Sequence, residues 1–405
     1  MSMSPEELFR QREERIQNAL RLRKSDQTPI ILVFGSFAAR YAGISRRDEG
    51  YDLERSYEAN FEATIDFQPD MASVPITFGS ILKRLNSSAY GLSDDYGYQY
   101  AEREYMKAQE YDAFLFDPSD YLIRCHWPRT MAKTAVFGHM PPLRTLISYS
   151  FALSTGLAPL ATSQGIEVLE ALKEAGEESV RVAAALQTFR ERLAAAGFPM
   201  FYCSGTQAPF DILGSYFRGT KGILTDMYRQ PHKLSAACEK LLAIMLETAV
   251  PAAKASGNPR VFIPLHKGSD NFMSLEQFRR FYWPTLRQLL TALIEEGLTP
   301  VLLAEGPYDS RLKTMKDVPE GKLIYWFENV DMERAAAVLR DRVCIMGNVP
   351  MSLLASGTVE QVKQYCRRLL ALFPDGGYIM SAAGALDDSR IDNVRALVDF
   401  ARLGL

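Results

Sequence analysis

The stretch TPVLLAEGPYDSR, residues 299–311, begins with a short unbroken apolar run, which is the pattern of a strand buried on both faces. Glu305 and Gly306 follow that run at once, and Tyr308 and Asp309 come shortly after. A carboxylate at the end of a buried strand is costly to desolvate, so it needs a partner or a chemical task. In a parallel α/β barrel, this end of the strand forms the rim where ligands bind. A solvated glutamate in an ordinary strand-to-helix turn is the alternative interpretation.

The same succession of apolar run and polar turn recurs along the chain and predicts eight strands. They cover residues 30–35, 70–74, 200–203, 260–265, 301–304, 322–327, 342–346 and 377–380. Strands that alternate with helices through short turns form a parallel sheet with right-handed crossovers. Eight such units favour a closed barrel, so we predict an α/β protein of the (β/α)8 TIM-barrel class, with residues 1–405 in one domain. No glycine-rich nucleotide-binding signature occurs in a strand-to-helix turn.

Residues 76–198 break this regularity and predict a long, partly helical insertion between strands 2 and 3. Its density of Tyr and Trp suits a lid over an aromatic or planar ligand, although extra core packing would require the same residues. His126 lies in this segment and could reach a site from above. At the other end of the chain, residues 1–27 predict a surface helix with Ser4 as its N-cap and Glu7 completing a capping box.

Composition excludes several classes of function. The chain has 405 residues, 47% of them hydrophobic, and a formal net charge of -3. This balance gives no electrostatic basis for binding nucleic acid or a membrane surface. No apolar run approaches the roughly 20 residues that span a bilayer, and charges interrupt any secretory signal. The five scattered cysteines indicate free thiols, and we expect a cytoplasmic protein.

The predicted strand ends bring polar side chains from different strands to one rim, which is how this fold builds active sites. These residues are Ser36, Ser73, Ser204, His266, Glu305, Glu328, Asn348 and Ser381. His266 and Glu305 both follow apolar strands and have no capping duty, so we predict an acid/base pair. Asn348 could equally be a structural turn residue. His266 and Glu305 could contribute to a metal site, but two ligands do not make one.

Three stretches resemble the uroporphyrinogen decarboxylase family. SGTQAPFDILGSYFRGTKGILTDMYRQPHKL (residues 204–234) is similar to the turn after the third strand of that family. GNVPMSLLASGTVEQV (347–362) resembles its GN-x-x-P-x-x-L-L-x-G element, and GGYIMS with DNVRALVDF resembles its last strand and helix. The resemblance implies the same eight-stranded barrel and a homodimer.

True decarboxylases of the family act on a porphyrinogen without a cofactor, using arginines from a loop after the first strand and an aspartate after the second. Here the first loop reads GSFAARY, so Arg40 and Tyr41 remain while Ser36 takes the place of the leading arginine. The second loop has no such aspartate, and the family's late histidine falls near Ala383. The substrate-site tyrosine corresponds to Tyr216. Because a polyacidic porphyrinogen needs several cationic partners, these changes argue against uroporphyrinogen as the substrate.

The other branch of the family contains corrinoid-dependent methyltransferases. Those that act on coenzyme M carry His-x-Cys-Gly after the fifth strand and a Cys after the last strand, and these residues bind a zinc ion. Here Glu305-Gly306 and Ser381 stand at those places, so both thiolates and the histidine are missing. Zinc prefers Cys and His ligands, and a thiol-activating zinc is therefore not expected.

The resemblance thus predicts an enzyme that moves a methyl group between a non-thiol substrate, such as an aryl methyl ether or phenol, and a cobalamin on a separate corrinoid protein. The predicted catalytic residues are His266, Glu305, Tyr308 and Asp309. The predicted substrate-binding residues are Tyr216, Ser204, Arg40, Tyr41, Glu328, Asn348 and His126. Two alternatives stay open: a cofactor-free decarboxylase, and a barrel without chemistry that binds a corrinoid protein.

Overall fold

A parallel sheet forms the centre of the molecule. The computed structural model describes residues 3–75, 79–93, 97–147 and 150–403. Within these ranges, six strands form one sheet in which each strand pairs in parallel with the next along the chain. They are Ser204–Gly205, Arg260–Leu265, Thr299–Ala304, Ile324–Phe327, Cys344–Gly347 and Tyr378–Ile379. The predicted α/β fold with a parallel sheet is confirmed.

The first two predicted strands lie between the two edges of this sheet. Single parallel bridges join Ile30 to Met380, Ile31 to Met71, and Ala72 to Met200. Met200 lies four residues before the first strand of the sheet, and Met380 directly follows its last strand. This arrangement is consistent with the predicted TIM barrel.

Helices follow the strands and cover the outside of the sheet. Around the first two strand segments they are Pro5–Leu20, Ser36–Tyr41, Arg46–Tyr51 and Leu53–Phe67. From the third strand onward they are Pro209–Ile212, Gly219–Arg229, Pro231–Ser256, Leu275–Gln277, Trp283–Glu295, Leu312–Met315, Met332–Leu339, Met351–Ser356, Val359–Ala371 and Ile391–Leu403. In the described part of the chain, no helix has both the length and the apolar character needed to cross a bilayer.

Local sequence signals place several of these helices. The capping boxes of Ser4, Ser274 and Thr358 all form as their sequence spacing predicts. A π-helical turn, Phe278–Tyr282, interrupts the helix that begins after Ser274 and ends two residues before Pro284. Proline lacks the amide proton of a regular helical turn, and π-turns are a common way to accommodate such a break.

The segment between the second and third strands is partly helical, as predicted, although its first residues, 76–78, and residues 94–96 lie outside the described chain. Its helices are Gly79–Arg84, Ala108–Glu110, Tyr111–Phe116, Pro118–Tyr121, Leu122–His126, Trp127–Thr130, Ala132–His139, Leu143–Thr145, Ser150–Gly156, Ala158–Ala161 and Ser163–Ala195. A short antiparallel hairpin pairs Tyr90–Ser93 with Gly97–Tyr100. Ion pairs of Glu102 with Lys267, 2.6 Å, and of Glu104 with Arg218, 2.7 Å, join the segment to the loops that follow the strands of the sheet.

The N-terminal helix is not the surface helix that its sequence suggests. Ile16, Ala19 and Leu20 are buried against the inward-facing side chains of the strands, including Ile31 and Val301. The helix therefore closes the end of the sheet opposite the strand-to-helix turns of the rim. The apolar stripe consists of only Ile16, Ala19 and Leu20, so the many charged residues of the helix dominate its sequence pattern.

A buried ion pair fastens this helix to the strands. A guanidinium nitrogen of Arg15 lies 2.7 Å from Oδ1 of Asp70, and Oδ2 of the same carboxylate accepts the amide hydrogen bond of Ile30 at 2.7 Å. Arg15 also pairs with Asp26 at 2.6 Å. Asp70 thus links the N-terminal helix to the first two strand segments.

We expect Asp70→Ala to lower the free energy of unfolding by about 3 kcal/mol, because one guanidinium nitrogen of the buried Arg15 and the buried amide of Ile30 lose their acceptor. Urea unfolding followed by circular dichroism measures this difference. Asp375→Ala, at an exposed turn, is the matched control and should change stability by less than about 0.5 kcal/mol. Equal stability of the two variants would contradict the role given to Asp70.

Candidate functional site

A row of polar side chains follows the paired ends of the strands. Pairing across the sheet aligns Pro264, Leu303, Trp326, Met346 and Ile379 in one row. Because side chains alternate between the two faces of a sheet, the next row on the same face lies two residues further along each strand. That row consists of His266, Glu305, Glu328, Asn348 and Ser381. Five of the predicted rim residues therefore share one end of the sheet.

His266 and Glu305 are neighbours in this row. Nε2 of His266 lies 3.7 Å from Oε1 of Glu305, and the two side chains are 30% and 42% exposed. Burial raises the pKa of Glu305, the charge of His266 opposes this rise, and the carboxylates of Glu328 and Asp211 add to it. Glu328 is held in place because its carboxylate accepts the amide hydrogen of Gly306. The pair is thus accessible from outside, and the net effect of its surroundings is to raise the pKa of Glu305 above its usual value.

Asp211 supports this pair from below, and the sequence analysis missed it. The side chain is fully buried. Its carboxylate accepts hydrogen bonds from the amides of His266, 3.0 Å, and Lys267, 2.9 Å, and from the hydroxyl of Tyr282, 2.7 Å. Burial raises the pKa of Asp211, against the effect of His266 and these hydrogen bonds. Its acidic character directly after Pro209-Phe210, in an otherwise apolar run, was the signal available in the sequence.

A cavity of about 440 Å³ opens at this same end of the sheet, and its volume suits a small ligand. Its floor consists of inward-facing side chains from successive strands: Val33, Val74, Tyr202, Phe262, Leu303 and Trp326. Leu303 and Trp326 stand two residues before Glu305 and Glu328 on the same face of their strands. The cavity floor therefore lies one row beneath the polar residues of the rim.

Charged groups line the cavity on the side of the first strand. They are Arg46, Glu49, Asp387 and Asp388. Burial, reinforced by the charge of Asp387, raises the pKa of Glu49 to about 7, although Arg46 opposes the rise. No sequence motif marked Glu49, since its environment depends on residues more than 300 positions away.

Tyr308 and Asp309 do not join the acid/base pair. Tyr308 is fully buried, and its hydroxyl donates to the carbonyl of Leu265 at 3.2 Å. Asp309 accepts the amide hydrogen bond of Asp331 at 3.2 Å and lies 3.7 Å from a guanidinium nitrogen of Arg334. Both side chains connect neighbouring loops, and this geometry argues against the catalytic roles predicted for them.

Three predicted substrate-binding residues have structural partners instead. Arg40 donates to the carbonyls of Asp387 and Ser389 at 3.1 and 2.7 Å. The hydroxyl of Tyr41 donates to Asp66 at 2.6 Å. Asn348 is buried, and its amide donates to the carbonyl of Val330 at 2.9 Å while its oxygen accepts the hydroxyl of Tyr365 at 3.0 Å. Each of these groups is satisfied by the protein itself.

The remaining predicted binding residues lie around the turn after the third strand. His126 is 2.8 Å from the carbonyl of Tyr216 through Nε2, and its buried Nδ1 has no partner in the described chain. Burial lowers the pKa of His126, which favours the neutral ring. Tyr216 accepts a hydrogen bond from Gln207 at 2.9 Å. The buried hydroxyl of Ser204 has no hydrogen-bond partner among the described residues.

The residues present do not fit a thiolate-bound zinc. All five cysteines are free, and burial raises the pKa of each of their thiols, which keeps them protonated. Across the described ranges, no group of three or more His, Cys, Asp or Glu side chains is arranged to hold a metal ion. The half-exposed His266 and Glu305 do fit a reaction with a group presented from outside by a second protein.

Comparison with known proteins supports the resemblance stated from the motifs. The family model described as uroporphyrinogen decarboxylase (URO-D) matches residues 156–403. The uroporphyrinogen decarboxylase of Chlorobaculum parvum is 24% identical over 183 residues, which are 44% of this chain and 50% of that protein. That of Koribacter versatilis is 25% identical over 198 residues, 48% of this chain and 55% of its own. The chain thus spans about half the length of the curated relatives it matches.

Similarity of structure extends further along the chain than similarity of sequence. A methyltransferase from Methanosarcina mazei superposes with a TM-score of 0.65, covering 96% of this chain and 98% of the other at 15% sequence identity. At that identity the likeness establishes a shared fold.

We expect Asp211→Ala to lower the free energy of unfolding by about 3 kcal/mol, because three buried donors lose their acceptor. Asp211→Asn keeps the shape and one acceptor oxygen, so its loss should be smaller. Urea unfolding of both variants tests this order. A fully stable Asp211→Ala variant would show that the carboxylate does not hold the turn of His266 and Lys267.

Glu49 should make stability depend on pH in a defined direction. Its pKa in the folded chain, about 7, lies above the usual 4.5. A group with a raised folded pKa stabilises the protein below its unfolded pKa, and this contribution is lost as the pH rises through the folded value. Wild-type stability should therefore fall more between pH 4.5 and 7 than the stability of Glu49→Gln. Parallel curves from denaturant unfolding would contradict the raised pKa.

Proposed function

The chain belongs to the uroporphyrinogen decarboxylase family, and we propose that it is a corrinoid-dependent methyltransferase. It moves a methyl group between a small non-thiol substrate, such as an aryl methyl ether or phenol, and a cobalamin carried by a separate corrinoid protein. The observation that carries this proposal is the half-exposed pair of His266 and Glu305, 3.7 Å apart. Glu305 stands two residues beyond Leu303, which lines an aromatic-floored cavity at the same end of the sheet. We take the eight strand segments as a closed ring, and we expect a cytoplasmic homodimer.

The charges of the cavity favour this function over decarboxylation of uroporphyrinogen. Of the described residues that line it, Arg46 alone is cationic, and it is already paired with Asp388 at 2.8 Å. Arg40, retained from the family's first loop, is engaged with backbone carbonyls. A porphyrinogen with many carboxylates would meet carboxylates here instead of the cationic partners it needs. The aromatic floor suits a small planar substrate instead.

Glu305 is the group we assign to proton transfer. Removal of a methyl group from an aryl ether leaves a phenolate, and a proton delivered to its oxygen lowers the barrier. Burial raises the pKa of Glu305 in the direction that suits a general acid, and Glu328 reinforces the rise. His266 orients the carboxyl group, and Asp211 fixes the backbone from which His266 projects. The bound corrinoid would supply the nucleophile that takes the methyl group.

We expect Glu305→Gln to reduce kcat by about 100-fold or more, because general acid assistance contributes about that much. The rate of the wild type should fall as the pH rises through the raised pKa of Glu305. Since His266 lowers that pKa, His266→Gln should move this alkaline limb to higher pH. The change in cobalt absorbance in the presence of the purified corrinoid protein measures the rate.

Glu295→Gln, which removes an exposed carboxylate on an outer helix, is the matched control and should retain full activity. If both Glu305→Gln and His266→Gln keep full turnover, Glu305 is not the group that transfers the proton. Turnover of a carboxylated substrate without any corrinoid would favour the cofactor-free decarboxylase. Tight binding of the corrinoid protein without turnover of any methyl donor would favour a non-catalytic binding partner.

A further inference from the structure

The floor of the mouth cavity is a platform of aromatic rings. The rings of Tyr202 and Phe262 stack with their centroids 4.7 Å apart and an angle of 14° between their planes. Phe262 lies 6.5 Å from Trp326, which extends the platform across the sheet. The hydroxyl of Tyr202 makes no hydrogen bond within the described chain. Aromatic faces carry partial negative charge, so such a platform attracts cations as well as planar rings.

The rim above this platform is acidic. Glu49, Asp387 and Asp388 line the cavity, and Arg46 neutralises one of them through its 2.8 Å ion pair with Asp388. Asp387 is fixed in place, because its carboxylate accepts the amide and hydroxyl hydrogen bonds of Ser36 at 2.9 and 3.1 Å. Two carboxylates, those of Glu49 and Asp387, therefore face the cavity without a cation bound to either in the described chain.

The position of Glu49 is costly in the absence of a ligand. Its carboxylate makes no hydrogen bond or ion pair with a described residue, although it is half-buried and close to the charge of Asp387. Burial and a neighbouring negative charge both disfavour the charged form of a carboxylate, and a bound cation would favour it. A cation that entered the cavity would meet the carboxylates of Glu49 and Asp387 and the aromatic side chains of the lining.

We propose that the mouth cavity binds a small organic cation, an amine-bearing compound whose ammonium group lies between Glu49, Asp387 and the ring platform of Tyr202, Phe262 and Trp326. If the bound cation is the methyl donor, that donor is a non-thiol compound with a tertiary or quaternary amine, and this part of the proposal rests on the proposed function. As a statement about binding it stands without the corrinoid protein. Arg46, held by Asp388, leaves the other two carboxylates to the ligand.

The test compares choline with 3,3-dimethylbutan-1-ol, a neutral molecule of the same shape in which carbon replaces the nitrogen. Isothermal titration of the purified full chain measures both affinities, with no corrinoid present. Choline should bind about tenfold more tightly, since a desolvated cation gains from both the rings and the carboxylates. Glu49→Gln should remove most of this preference, whereas Glu62→Gln, on an exposed helix face, should leave it unchanged.

The same titration reports on the charge of Glu49. The charged groups that surround it in the structure are Arg46, Asp387 and Asp388. A bound cation stabilises the carboxylate, so choline binding should release a proton near pH 7 and should strengthen as the pH rises through that value. Titrations in buffers of different ionisation enthalpy measure the released proton, and Glu49→Gln should abolish it.

Equal affinity for choline and its neutral counterpart would overturn the inference, and so would failure of both to bind at millimolar concentration. A preference for choline that survives in Glu49→Gln would overturn the role given to that carboxylate. Choline binding without methyl transfer to any corrinoid protein would leave the cation site intact and remove the proposed function. Methyl transfer from a neutral aryl ether, without a preference for cations, would keep the proposed function and remove the cation site.

Discussion

The register of the parallel sheet is the constraint on which the mouth of this molecule depends. Leu303 pairs with Trp326 across the sheet. Glu305 comes two residues after Leu303, and Glu328 comes two residues after Trp326, so the two glutamates lie side by side on the same face. A slip of one residue would turn Glu305 outward into the helix layer, where a carboxylate has no acceptable surroundings. The N-terminal helix covers the opposite end of the sheet with Ile16 and Leu20, and the Arg15–Asp70 ion pair fastens it there.

Within that mouth, burial acts on two glutamates that have different neighbours. It raises the pKa of both Glu305 and Glu49. Glu305 has an imidazole beside it, which offers a partner for a proton that moves, whereas Glu49 faces a second carboxylate, Asp387. The first arrangement suits proton transfer, and the second suits a ligand that brings positive charge. The two groups can therefore serve one substrate, one at its reacting oxygen and one at its amine.

The strands from Arg260 onward and the polar row were predictable because they follow from local periodicity, and the capping boxes follow from the spacing of their residues. The third strand was predicted at residues 200–203, but the structure has it at Ser204–Gly205. The apolar runs that end at Leu265 and Ala304 identified two strands, and His266 and Glu305 are the residues that directly follow them in the sequence. Asp211 and Glu49 were not predictable, since their importance comes from contacts with residues distant in sequence. The contact of Tyr308 was not predictable for the same reason, since its hydroxyl donates to the carbonyl of Leu265, more than 40 residues earlier in the chain.

Ser36 shows how the charge of the mouth differs from that expected of a true decarboxylase. By comparison of the motifs, Ser36 occupies the position at which the decarboxylases carry the leading arginine of the first loop. Here it donates two hydrogen bonds to Asp387, so the position that would hold a cation supports a carboxylate instead. Arg40, retained from the same loop, bonds the backbone of Asp387 and helps to hold it. One loop thus reverses the electrostatic preference of the cavity while the sheet beneath it keeps the geometry of the family.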